Sequence, residues 1–273
     1  MARHAKSGTT TLPVQQWWVL TLRQVAPSLR NGEVVTAIIT PIVFTVGFYI
    51  PLNLVMSFPP ANPVHGMSSF AQFLMPMIVL QALAFTAISA AFRAATDAVE
   101  GINKRFGSMP IAVGVPLAAR MGANMYRCVI SIASAVACGY VIGFRFYLDA
   151  LHTLGFLLFA FGIGMALSLG ADVIGTLSAS PEATTQSLAL PQLILGMLSA
   201  GFLPAQSFPS WIQGFVRNQP ISQFAYGLRA LAGDSTPGAG VADWATMGPP
   251  LYWVLGLVAV LAPVAVVVTS RRP

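Results

Sequence analysis

Apolar residues in this chain gather into runs of about twenty, at 34–56, 72–92, 123–144, 151–171, 184–203 and 251–269, with polar breaks between them. A helix rises about 1.5 Å per residue, so each run is long enough to cross roughly 30 Å of hydrocarbon. Lipid offers the backbone no hydrogen-bond partners, which leaves the helix as the form such runs must take. The pattern therefore predicts an all-α integral membrane protein with six transmembrane helices. Ahead of the first run, Trp18, Leu22, Val25 and Leu29 recur at helical spacing over 14–29, with Gln16, Arg23 and Arg30 left for the other face. That is the signature of an amphipathic helix lying in the membrane interface, and Pro27 predicts a kink or an early stop in it.

The breaks carry their own expectations. Pro41, Pro51 and Asn53 interrupt the first run, so its C-terminal third is expected to unwind. The stretch from 93 to 120 holds Asp97, Glu100, Lys104 and Arg105 and belongs in water, with Arg127 placed to snorkel from the start of the third span. From 204 to 250 the polarity is intermediate, and Trp211, Phe215, Phe224, Tyr226 and Trp244 accompany Arg217, Arg229, Asp234 and Asp243. Short amphipathic helices at the outer interface fit that mixture.

Composition agrees with the pattern: 56% of residues are hydrophobic, 8% are charged, and the mean hydropathy is +0.73. A water-soluble domain is excluded on those values. The net charge of +6 does not point to nucleic acid, because the basic residues form no dense tract with interleaved aromatics and lie beside the apolar runs. Under six spans, Arg3, Lys6, Arg23, Arg30, Arg93, Lys104, Arg105, Arg120, Arg127, Arg271 and Arg272 fall on one side and Arg145, Arg217 and Arg229 on the other. The positive-inside bias then predicts a multi-pass plasma-membrane protein with both termini in the cytoplasm and anionic lipid headgroups beside them. The polar start followed by a Trp-rich stretch is not the pattern of a cleavable signal peptide.

Catalytic chemistry is not apparent. His4, His65 and His152 are isolated from one another, and Cys128 and Cys138 lie about 15 Å apart along one helix, placed as small apolar residues. No phosphate-binding GxxxxGK[ST] loop occurs, so any ATP dependence must come from another chain. Gly162 and Gly164 sit among small residues and read as helix packing. Of the ionisable residues near a predicted span, Asp172 falls at the end of the fourth and reads as a solvated helix end, which weakens the case for an ion-coupled carrier. Thr45, Asn53, Gln81, Thr86, Gln186 and Gln192 are scattered through the spans, either along a path for an amphiphilic or lipidic cargo or as interhelical hydrogen-bond partners.

Two stretches carry a family resemblance. The segment from Ala98 to Pro110, AVEGINKRFGSMP, resembles the Glu-Gly-Thr-Leu-Glu-Arg-Leu-x-x-x-Pro pattern between spans two and three of permeases in type II ABC exporters. Glu100, Gly101, Arg105 and Pro110 match in place, while Ile102, Asn103 and Lys104 depart from it. The segment from Phe208 to Pro220, FPSWIQGFVRNQP, followed by Tyr226 and Arg229, is similar to the stretch before that family's last span, with Gln219 inserted between Asn218 and Pro220. The overall flavour is that of the daunorubicin-resistance type, which includes mycobacterial relatives associated with cell-envelope lipid export.

The resemblance implies a non-catalytic permease that binds no cofactor itself, with ATP and Mg on two copies of a partner ATPase and a second permease, identical or homologous, beside it. It makes 97–110 a coupling helix in which Glu100, Gly101, Lys104 and Arg105 dock on the ATPase, next to the interface helix of Trp18, Arg23 and Arg30. It makes 204–250 either an exit gate, through Trp211, Phe215 and Tyr226, or an interfacial anchor. A membrane scaffold without transport of its own and a secondary carrier are the alternative readings.

Overall fold

The computed structural model describes residues 13–30, 32–56, 68–102, 105, 114–235 and 241–270, and the regular elements among them are all helices. They are α1 (Pro13–Arg30), α2 (Glu33–Phe44), a π-helical turn (Thr45–Tyr49), α3 (Ile50–Met56), α4 (Phe70–Val99), α5 (Val115–Ile142), α6 (Ala150–Leu177), α7 (Pro181–Met197), a 3-10 turn (Ala205–Ser207), α8 (Ser210–Asn218), α9 (Pro220–Ala232) and α10 (Trp244–Ser270). Several starts are written in the sequence. The hydroxyl of Ser69 accepts from the Gln72 N–H, the carboxylate of Asp149 from the His152 N–H, and the hydroxyl of Ser180 from the Ala183 N–H. Gly143 ends α5 at φ 100°, a left-handed turn that suits glycine.

Among the described residues, five helices are long and apolar enough to cross a membrane: Glu33–Leu54, Phe70–Val99, Val115–Ile142, Ala150–Leu177 and Trp244–Thr269. The expected count of six is therefore not met by six long helices. In place of a fifth span over 184–203, α7 has 17 residues, about 26 Å, and the chain turns at Leu198. The crossing is completed in pieces. From Ser180, α7 runs along α4 until Gly196 and Gly201 meet Met77, and after α8 the helix α9 carries the chain to Gly233. The Gly233 carbonyl accepts from Gln72 Nε2 at 2.7 Å, at the N-terminal end of α4, so this second piece reaches the far end of the bundle.

Proline effects also differ from expectation. The first span stays helical to Met56: Pro51 has no N–H to offer the turn before it, and the widened π turn at Thr45–Tyr49 absorbs the mismatch where unwinding was expected. Pro27 does not end α1, which continues to Arg30.

The centre of the bundle is α4, buried on every side from Phe70 to Leu83, with α5, α6, α7 and α9 around it. In lipid, helices associate by close packing more than by the hydrophobic effect, so small residues decide where they meet. A Cβ on Gly175 of α6 would lie 2.2 Å from the Ala91 carbonyl oxygen of α4, and one on Gly164 would lie 2.7 Å from Leu83. Gly175→Ala should cost about 1–3 kcal/mol by forcing α4 and α6 apart. Gly162→Ala, with Val254 at 4.0 Å as its neighbour, is the control. Thermal aggregation midpoints of the two purified variants should separate clearly; equal midpoints would show that the contact is soft.

Candidate functional site

Ionisable side chains from four helices converge at the end of the bundle where α2 and α5 begin and α4 and α6 finish. Glu33, the first residue of α2, accepts from Arg93 of α4 at 3.0 Å and from Arg127 of α5 at 2.7 Å, both through Oε2. Asn124 Oδ1 accepts from the same two guanidiniums, from Arg93 at 3.1 Å and from Arg127 at 3.2 Å. One helical turn before Asn124, Arg120 faces Asp172 of α6. Its Nε lies 2.8 Å from Oδ1, and its Nη2 donates to Oδ2 at 3.1 Å. The Arg120–Asp172 pair is buried, as is Arg127.

These positions correct three expectations. Asp172 is not a solvated helix end, because α6 continues past it to Leu177 and buries it against Arg120. Arg127 does not snorkel outward; Glu33 holds it inside. Arg93 and Arg120 are not in an aqueous loop, since α4 runs to Val99 and α5 starts at Val115. The reason is common to all three: each charge has an opposite charge or an amide on a neighbouring helix, so the helix extends through it at tolerable cost. Glu33, the carboxylate that links α2 to α4 and α5, was not singled out in the sequence because it stands one residue before the apolar run.

Beside the cluster a cleft of about 210 Å³ opens between α2 and α4, lined by Glu33, Thr36, Ala37, Thr40, Phe85, Thr86, Ser89, Arg93 and Arg127. Thr86 is the one candidate path residue on it. Its hydroxyl is paired with Ser131 of α5 at 2.7 Å, so it faces the floor. Gln81 and Gln192 are bonded to each other across α4 and α7, leaving Gln81 Nε2 and Gln192 Oε1 without a partner. Thr45 is buried and donates to the Pro41 carbonyl, while Asn53 and Gln186 are exposed. The six candidates thus do not line one cavity.

The coupling candidates sit at the same end as the charge cluster. Glu100 caps α4 and Gly101 follows at φ 70°, where a side chain would be strained, so the chain turns sharply there. Glu100 and Arg105 are exposed; Lys104 and most of the rest of 97–110 lie outside the described residues. In α1, Trp18, Leu22 and Arg23 are exposed, and the face toward the protein is Trp17, Thr21 and Ser28. Trp17 Nε1 donates to the Ala118 carbonyl at 2.9 Å, and Thr21 packs where α5 has only Gly122. Arg30 lies in the last turn of α1.

At the opposite end, Gln72 joins three elements: Nε2 donates to the Gly233 and Arg145 carbonyls and Oε1 accepts from the Arg145 N–H. Trp211 and Phe215 stand exposed on α8, whereas Tyr226 packs inward against the cluster of Ala200, Ala205 and Val216. The residue that holds this region together is Arg229. It is buried, donates from Nε to the Phe73 carbonyl and from its two terminal nitrogens to the Ala200 and Gly201 carbonyls, and lies 3.7 Å from the Phe73 ring centre.

The described part of the bundle thus has paired charges at one end of its helices, beside a cleft between α2 and α4. No protein-family model matches the sequence. It is 47% identical over 95% of its length to the doxorubicin resistance ABC transporter permease protein DrrB of Mycobacterium tuberculosis, covering 90% of that protein. It is 27% identical over 71% of its length to the daunorubicin resistance ABC transporter permease protein DrrB1 of Streptomyces coeruleorubidus, covering 66% of it. The probable doxorubicin resistance ABC transporter permease protein DrrC of M. tuberculosis is 26% identical over 85% of the chain and is covered over 80%. With its helices, its cleft and these relatives together, the chain belongs to the doxorubicin- and daunorubicin-resistance ABC transporter permeases, non-catalytic membrane subunits whose ATPase is a separate chain.

Proposed function

We propose that this permease subunit works in an ATP-driven exporter of an amphiphilic drug or complex lipid, with the Glu33 end of the bundle in the cytoplasm. Two permeases, identical or homologous, would stand on two ATPase subunits that carry the ATP and Mg. The orientation is supported by the charge bias of the sequence: eleven of the 14 basic residues fall in the segments that a six-span reading puts on the cytoplasmic side. The drug-resistance names of the relatives support an amphiphilic cargo, as do the predominantly apolar faces that α2, α7 and α10 expose.

The observation that carries the reading is the continuity of α4. This 30-residue helix runs without a break from the Gln72 junction to the turn at Glu100 and Gly101. A push at Glu100 would travel along a rigid rod to α6 through the Gly175 contact, to α7 through Gln81 and Gln192, and to the α9 region through Arg229 and Phe73. Helix α2 is bound to this rod at its start by Glu33 and again where Phe44 meets Phe85, and it is otherwise little buried, so it would be able to shift as the ATPases close. Motion of α2 against α4 would open or squeeze the cleft between them.

Glu100→Lys tests the drive. Docking by this exposed carboxylate predicts that substrate-stimulated ATP hydrolysis and transport in the reconstituted complex fall about tenfold, the equivalent of one lost charge contact. Membrane insertion and copurification of the permease dimer should be unchanged. Full transport by a correctly inserted Glu100→Lys protein would remove Glu100 from the coupling surface.

A further inference from the structure

The Glu33 cluster is short of acceptors. A guanidinium is a fork of N–H donors with no acceptor of its own. Arg93 and Arg127 share Glu33 Oε2 and Asn124 Oδ1 as side-chain acceptors, and Arg127 Nε, on a side chain 4% exposed, has no partner. In the lining of the cleft itself two positive charges face one negative charge, the next carboxylate, Asp97, standing one turn beyond Arg93 on α4 and outside that lining. Such a cleft favours a ligand that brings oxygen acceptors and negative charge.

The cleft also adjoins an aromatic ladder in the packing between α2 and α4. Phe85 forms part of its wall and lies 5.3 Å, centre to centre, from Phe44 of α2. Phe44 stacks on Phe48 of the π turn at 5.5 Å, and Phe48 meets Phe202, beyond the end of α7, at 4.5 Å. The ladder climbs from the charged end toward the turn that Arg229 secures. A polar head among the arginines with an apolar tail along these rings would satisfy both halves of the surface.

We propose that the cleft between α2 and α4 is a binding site for the oxyanion head of an amphiphile, held by Arg93 and Arg127 in competition with Glu33, with its tail along Phe85, Phe44 and Phe48. The site deepens the exporter reading by naming a substrate class that would enter from the inner leaflet. The binding itself requires no ATP. Ligand entry would also loosen the Glu33 pairings that tie α2 to α4 and α5, which couples occupancy to the mobile helix.

Glu33 and Arg93 should act in opposite directions, which distinguishes a site from a salt bridge that only holds the fold. The permease with its copurifying subunits is placed in phosphatidylcholine nanodiscs without ATP, and its association with spin-labelled phosphatidylglycerol is compared with that of spin-labelled phosphatidylcholine. The expected result is selectivity for phosphatidylglycerol that falls about tenfold in Arg93→Gln and rises in Glu33→Gln, where the internal competitor is gone. Both variants avoid the more deeply buried Arg127, and helical content by circular dichroism confirms that they are folded.

Inorganic phosphate is the second arm. If it displaces the labelled lipid from the wild type and not from Arg93→Gln, a free oxyanion suffices and the oxyanion site stands. If phosphate is inert while phosphatidylglycerol binds, the lipid is the source and the tail path stands with it. Equal selectivity in all three proteins, weaker binding in Glu33→Gln, or preference for a cationic amphiphile such as dodecyltrimethylammonium would overturn the proposal. Selective binding without any ATPase stimulation would instead count against the exporter reading and leave the site in place.

Discussion

Asp172→Asn should destabilise the folded protein by about 3–5 kcal/mol, because it takes from the buried Arg120 guanidinium the carboxylate that meets it directly. The carboxylate meets that guanidinium through both of its oxygens, at 2.8 and 3.1 Å, in an enclosed layer between α5 and α6. An asparagine offers one acceptor and no charge, and turns an N–H toward a donor. Replacing both members with apolar residues of similar volume, Arg120→Met with Asp172→Leu, removes both buried charges and should recover most of the loss. Denaturation of the purified variants by graded sodium dodecyl sulfate measures the cycle. A coupling between the two positions below about 0.5 kcal/mol would mean that they do not act as a pair.

The same layer explains which parts of the architecture were legible in the sequence. Apolar length alone predicted the all-α membrane fold and located the long helices, because a bilayer sets the length a span must have. It misplaced their ends at this layer. Expected limits at 92, 123 and 171 became 99, 115 and 177, since a hydropathy average registers the charge of Arg93, Arg120 or Asp172 but not the partner that neutralises it from another helix. Three acidic residues, Glu33, Asp97 and Asp172, and three basic ones, Arg93, Arg120 and Arg127, lie near the ends of adjoining apolar runs. That balance of opposite charges at one depth was the available signal.

The polar candidates inside the spans fared unevenly for a related reason. Residue type says that Gln81, Thr86 and Gln192 need partners in lipid, but not whether those partners are protein or cargo. The fold brings Thr86 to Ser131 and Gln81 to Gln192, and it leaves Asn53 and Gln186 at the surface. Phe44 and Phe48 share a helix face by their spacing of four, but nothing in the sequence says that Phe85 of α4 and Phe202, beyond α7, meet them. The break after α7 was hidden as well: 184–203 carries no charged residue, and what supports the turn at Ala200 and Gly201 is an arginine nearly thirty residues further along.

That arginine gives the second large expectation. Arg229→Ala should cost about 3 kcal/mol or more, since it removes donors to three carbonyls and opens a void over the Phe73 ring. Arg229→Lys should rescue it only in part. One ammonium keeps the charge, but it lacks the planar fork that reaches Phe73 on α4 and both carbonyls of the turn together. Because the contacts join α9 to the turn after α7, the damage should be local before it is global. A cysteine placed at Ser199, buried in the intact turn, should react with a membrane-impermeant maleimide in the Arg229→Ala background while one at Ser131, deep beside α4, stays protected. If Ser199 remains protected and Arg229→Lys melts with the wild type, the broken crossing is held by its apolar packing, and Arg229 is free for a role in transport.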